Sequence, residues 1–209
     1  YQAKAGYFNE ESNTAFGDNS IAIGQSAAVS ANNSIAIGRG SLANDANSIA
    51  IGSGSQATGE NSTAYGDTAK ASGVNSAAFG HLSNASGKNA LSVGSQSKAI
   101  AEDAAAIGFK AIASNVNALA IGNEAEATAI NSIAIGTAAH ASSGMSTAVG
   151  RGSRATGYDA TALGSTSKAT EFRATAIGTL STASAKNATA FGANSTASSE
   201  YSGAYGTEA

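Results

Sequence analysis

The chain has 209 residues, among them fifty alanines and 25 glycines, with Ser and Asn abundant, no Pro, Cys or Trp, and a net charge of −3. Side chains this small bury too little apolar area for a conventional globular core, and without cysteine there is neither a disulfide nor thiolate chemistry. The weak negative charge gives no electrostatic footprint for a phosphate backbone, which argues against nucleic acid as a partner. No run of apolar residues is long enough to span a bilayer, so no membrane contact is expected within this segment.

In chain order, the first element is irregular. Gly17, in Asn13-Thr14-Ala15-Phe16-Gly17, stands only seven residues before Gly24, and Tyr7, Phe8 and Phe16 are bulky and out of phase with the remainder of the chain. Stacked repeats need atypical end units, so residues 1–18 are expected to form an N-terminal cap and residues 19–209 the repeat array.

From Gly24 to Gly206 a glycine recurs every 14 residues without a slip. Taking that glycine as position 0, the residue before it is always large: Ile23, Ile37, Ile51, Tyr65, Phe79, Val93, Ile107, Ile121, Ile135, Val149, Leu163, Ile177, Phe191 and Tyr205. Two before it is Ala, except Ser92, and four before it is Ser or Ala. Three after it is Ala or Ser, and five after it is Ala except at Val29. Strict alternation is a strand signature. Each 14-residue coil therefore holds two strands, predicted at about five residues each, joined by turns rich in Gly, Ser, Thr and Asn. Stacked coils give two parallel sheets with neighbouring strands ~4.8 Å apart, a rod roughly 65 Å long.

Small residues facing small residues let the two sheets close tightly, and the large column then points outward. A continuous apolar column does not face water on a soluble monomer, so it is expected to meet copies of itself under closed symmetry. Periodicity does not choose between two, three or four chains. The opposite facing, with large residues inside, would give a fatter and self-sufficient solenoid.

The repeat Asn-Ser-Ile-Ala-Ile-Gly, at its clearest in Asn19–Gly24, Asn33–Gly38, Asn47–Gly52 and Asn131–Gly136, resembles the YadA-like head of trimeric autotransporter adhesins. The resemblance covers about residues 19–209. It implies an all-β fold, a left-handed parallel β-roll of 14-residue coils, and a homotrimer in which the fourteen large residues form the interface. It also implies a place on a bacterial cell surface, anchored in the outer membrane through parts outside this segment. Adhesion to host matrix proteins or receptors, and self-aggregation, are the implied roles. A rigid spacer that projects another binding domain is the alternative.

No enzyme chemistry is expected. His81 and His140 lie 59 residues apart, too far along the stack to share a metal ion. There is no phosphate-binding loop, no Gly-Gly-x-Gly-x-Asp calcium repeat, and 14 is not a multiple of the acyltransferase hexapeptide. No cofactor is expected. Thr147, Thr161, Thr175 and Thr189 form a column, but no exposed Thr-x-Thr rank of the ice-binding kind occurs.

Candidate partner-binding residues fall in two columns. Four after the glycine stand Glu126, His140, Arg154 and Lys168, with Arg151 and Arg173 nearby in sequence, either a basic patch for an acidic partner or a solvated face that keeps the rod soluble. Eight after it stand Val116, Ile130, Gly144, Tyr158 and Phe172, unusually apolar for a corner. Phe109 and Ile112 extend the same theme in a neighbouring column. Exposed aromatic and apolar groups of this kind are candidate anchors for a protein partner, or they fold over the adjacent seam between chains.

Overall fold

The computed structural model describes residues 14–209, in two compact units that divide between Asp103 and Ala104. Most of the expected cap, residues 1–13 with Tyr7 and Phe8, lies outside the described residues. Both units are parallel β-solenoids. In the first, among the described residues, two-residue strands run from Thr14–Ala15 to Lys98–Ala99 and three-residue strands from Ile21–Ile23 to Leu91–Val93. In the second, three-residue strands run from Ala105–Ile107 to Gly203–Tyr205 and two-residue strands from Ile112–Ala113 to Thr196–Ala197.

Every pairing within a unit is parallel, with a shift of one 14-residue repeat: Ile35 faces Ile49, Ala36 faces Ala50 and Ile37 faces Ile51. Identical positions therefore stack, and each column of the sequence becomes a physical ladder. The Thr14–Ala15 strand joins this order, pairing with Ala28–Val29.

The strands are shorter than the five residues expected from the alternation, and the backbone shows why. The residue at position 9 is in the left-handed region in every coil, at φ 54–58° for Asn33, Asn47, Asn61, Asn75 and Asn131. So is the residue at position 2, whether Ser26, Thr68, Leu82, Ala138 or Leu180. The periodic glycine itself has φ between 119° and 138°. These corners end each strand after two or three residues.

The glycine column has a steric cause. A Cβ on Gly38 would lie 2.5 Å from the carbonyl oxygen of Gly52, and one on Gly136 would lie 2.6 Å from that of Gly150. Backbones of successive corners touch, and only a residue without a side chain fits.

The interior is made of alanine and serine, with Val29 as its one larger side chain. Ala36, Ala43, Ala50 and Ala57 are fully buried, as are Ser34, Ser41, Ser48 and Ser55. The large column lies on the outer side of the three-residue strands: Ile23, Tyr65, Phe79, Leu163, Phe191 and Tyr205 are exposed, and the other eight are half-buried. The reading with large residues inside is thereby rejected.

Buried hydroxyls are tied down locally. Position-3 serines donate to the carbonyl of the preceding glycine, as in Ser41 to Gly38 and Ser153 to Gly150, both at 2.9 Å. Ser48 and Ser76 keep a buried hydroxyl with no partner among the described residues. On the outside, side-chain amides form a row. Asn47 donates to Asn61 at 3.0 Å, Asn61 to Asn75 and Asn75 to Asn89 at 3.1 Å, and Asn89 to the Asp103 carboxylate at 2.9 Å.

Candidate functional site

The two candidate columns both occupy the second unit, on different parts of its surface. On the outer face of the two-residue strands, Ile112, Glu126, His140, Arg154 and Lys168 are consecutive neighbours. Strand alternation puts them outward because Ala113, Ala127, Ala141, Ala155 and Ala169 point into the core. His140 Nδ1 lies 2.9 Å from Glu126 Oε2. Arg154 and Lys168 are exposed and half-buried Ile112 stands at the far end of the row. The turn before Ile112 carries exposed Phe109, with the Lys110 ammonium 5.0 Å from its ring centre. A shallow groove of about 450 Å³ runs between Lys110, Glu124, Glu126, His140 and Arg154.

The second column lies on the corner before the three-residue strands. Val116, Ile130 and Tyr158 are exposed there, and Phe172 is half-buried. Their carbonyls accept in register from the following coil, Ile130 from Met145 N and Tyr158 from Arg173 N, at 3.0 and 2.9 Å. The rings of Tyr158 and Phe172 stack at 5.9 Å with an interplanar angle of 8°. The Arg173 guanidinium covers the Phe172 ring at 4.9 Å.

Gly144 breaks this apolar row. A Cβ there would sit 3.0 Å from Tyr158 Cε2, so the ring leans over the glycine. Beside it lies a notch of about 370 Å³ lined by Ile130, Asn131, Met145 and Tyr158, and the Tyr158 hydroxyl donates to Met145 Sδ at 3.6 Å. Sequence reasoning misses Met145. Its signal is that Met145 and Tyr201 are the two residues that interrupt the position-9 column of Asn, Asp and Arg, and Met145 is 51% exposed.

His81 is 3.4 Å from Asp67, one coil away. Among the described residues no group of three or more His, Cys, Asp or Glu side chains converges on a point that could hold a metal ion.

Parallel 14-residue coils with an alanine–serine interior and two patterned outer faces define a stacked-repeat β-solenoid. The chain belongs to the YadA head family: overlapping matches to the profile described as "YadA head domain repeat (2 copies)" run from residues 15–41 to residues 183–209. No curated protein matches the chain. Among solved structures, the collagen-binding domain of the Yersinia adhesin YadA is 22% identical, with 91% of this chain and 68% of that one covered at a TM-score of 0.28. The family assignment rests on the repeat matches.

Proposed function

We propose that the chain is the head of a homotrimeric surface adhesin. Three copies meet along the large column from Ile23 to Tyr205, and the remaining faces bind host matrix or receptor proteins. The observation that carries the reading is the division of residues between the two sides of the three-residue strands. Ala and Ser fill the interior, and a column of Ile, Val, Leu, Phe and Tyr is left outside. An apolar column of that length is a surface to be covered, and cyclic symmetry covers equivalent columns with one another.

On this reading the stacked Tyr158 and Phe172, with Val116 and Ile130, give the corner its anchors for a protein partner. Phe109, Ile112 and the His140–Arg154–Lys168 row form the second candidate surface. The head stands on a bacterial cell surface, anchored in the outer membrane. Contact between heads on neighbouring cells provides self-aggregation.

The test is binding of the purified chain to a panel of matrix proteins and epithelial receptor ectodomains. Saturable binding at about micromolar concentration or below supports the adhesive head. Uniform failure across the panel supports the second reading, a rigid spacer that projects another binding domain. The regular, uninterrupted stacking of coils within each unit is the observation that favours the spacer.

A further inference from the structure

Charges in this protein follow a coil-to-coil rule. All three ion pairs of Lys or Arg among the described residues join a residue to its counterpart one repeat on, Lys88–Glu102, Asp159–Arg173 and Lys186–Glu200, and so do the two His–carboxylate contacts, Asp67–His81 and Glu126–His140. Within residues 14–209, Lys110 and Glu124 also stand one repeat apart with opposite signs. The exception is Arg154 and Lys168. They are direct neighbours on adjacent parallel strands, both exposed and both cationic. Like charges placed directly opposite each other in a sheet are destabilising.

Among the described residues no ion pair relieves that repulsion. Neither Arg154 nor Lys168 takes part in an ion pair among the described residues. Glu126, the acid of their own column, is engaged by His140, and Asp159 is engaged by Arg173. Glu171 stands on the corner three residues beyond Lys168 and pairs with neither. Two residues after each cation, on the same outward side, come Thr156 and Thr170. Their side chains make no hydrogen bond among the described residues. Arg151, exposed on the turn before Arg154, adds a third cation, and Gly152 beside it leaves open space.

We propose that the Arg154–Lys168 step, with Thr156 and Thr170 beside it, docks a sulfated polysaccharide of the host surface. This rests on the reading of the chain as an adhesive head and names a ligand class for one of its faces. The guanidinium presents a planar fork to a sulfate group, and the ammonium adds a point charge one strand away. Free hydroxyls suit a ligand that is itself rich in hydroxyls. A nucleic acid strand wants aromatic platforms, which these four positions lack, and a basic chain, where this one is net −3. An acidic protein wants a buried apolar anchor at the centre of the contact, and none of the four supplies one.

The experiment measures binding of the full 209-residue chain to immobilised heparin, the probe for a sulfated polysaccharide. Three proteins are compared: wild type, R154Q/K168Q, and K98Q, which removes an exposed charge elsewhere. Wild-type binding with a loss of about tenfold in R154Q/K168Q and no more than about twofold in K98Q supports the proposal. Far-ultraviolet dichroism confirms that all three stay folded. The proposal is overturned by absence of wild-type binding, by equal losses in both variants, or by polyglutamate or single-stranded DNA competing more strongly than heparin. The matrix-protein panel is run alongside. Binding to the panel without binding to heparin sinks this proposal alone, and failure of both sinks the adhesive reading with it.

Discussion

The hydroxyl of Ser92 lies 2.6 Å from the hydroxyl of Ser97 across the interior. Ser92 is the one serine in a column otherwise made of alanine, and Ser97 is also a donor to the Gly94 carbonyl at 2.8 Å. The irregular residue is therefore accommodated by its partner on the opposite sheet. An unpartnered buried hydroxyl costs free energy, and Ser97 gives Ser92 the partner that Ser48 and Ser76 lack among the described residues.

Ser97→Ala is expected to cost about 1–3 kcal/mol, because it strands the Ser92 hydroxyl. The double change Ser92→Ala with Ser97→Ala recovers most of that loss, since it recreates the Ala-lined coils seen at Ala106 and Ala111. Chemical unfolding of the three variants measures it. A double variant as unstable as Ser97→Ala disproves the pairing.

Gly136 and Gly152 separate steric overlap from backbone strain. Gly136→Ala forces a methyl group onto the Gly150 carbonyl, with an expected loss above roughly 3 kcal/mol or failure to fold. Gly152→Ala meets nothing within 4 Å and is limited to the strain of its φ of 64°, about 1–2 kcal/mol. Equal melting temperatures for the two variants would contradict the close corner stacking.

Ala138→Gly is expected to stabilise the fold. Ala138 is exposed and held at φ 53°, close to the conformation that Gly40, Gly54 and Gly152 adopt at the same position of other coils. Relief of left-handed strain outweighs the added freedom of the unfolded chain by about 0.5–1 kcal/mol. Thermal unfolding reads the sign directly.

If three chains meet as proposed, Ile135→Asp is expected to break the trimer and Lys98→Asp to leave it intact. Ile135 stands in the large outer column and Lys98 on the exposed face of the other sheet. A carboxylate in a covered apolar seam costs several kcal/mol per chain. Light scattering gives the mass of each variant, and three-chain mass retained by Ile135→Asp would refute the seam.

Much of the fold was legible in the sequence because stacking converts period into position. Fourteen glycines in phase and the alternation around Ile35-Ala36-Ile37 specify parallel sheets and an alanine interior. Strand length was not legible. It is set by left-handed residues at position 2, such as Leu82 and Leu180, whose side chains carry no turn signal; the neighbouring coils impose the conformation. The candidate columns were legible, since Arg154, Lys168, Tyr158 and Phe172 lie where the count puts them. The notch was not, because it depends on the Tyr158 ring leaning over Gly144 toward Met145, which is rotamer information. The charge rule was readable as opposite signs spaced by one repeat, as in Lys88 and Glu102.

The amide row on the first unit has a direction. From Asn47 to Asn89 each side chain gives its hydrogen to the higher-numbered neighbour, and the Asp103 carboxylate receives the last one. A carboxylate only accepts, so it is a natural terminus for such a row. An interior asparagine hands on what it receives, and a duplicated cassette dropped into the middle would join the relay without any compensating change. Gene duplication can therefore lengthen this head in whole cassettes, each adding ~4.8 Å of reach, while a shift by any other number of residues would interrupt the relay.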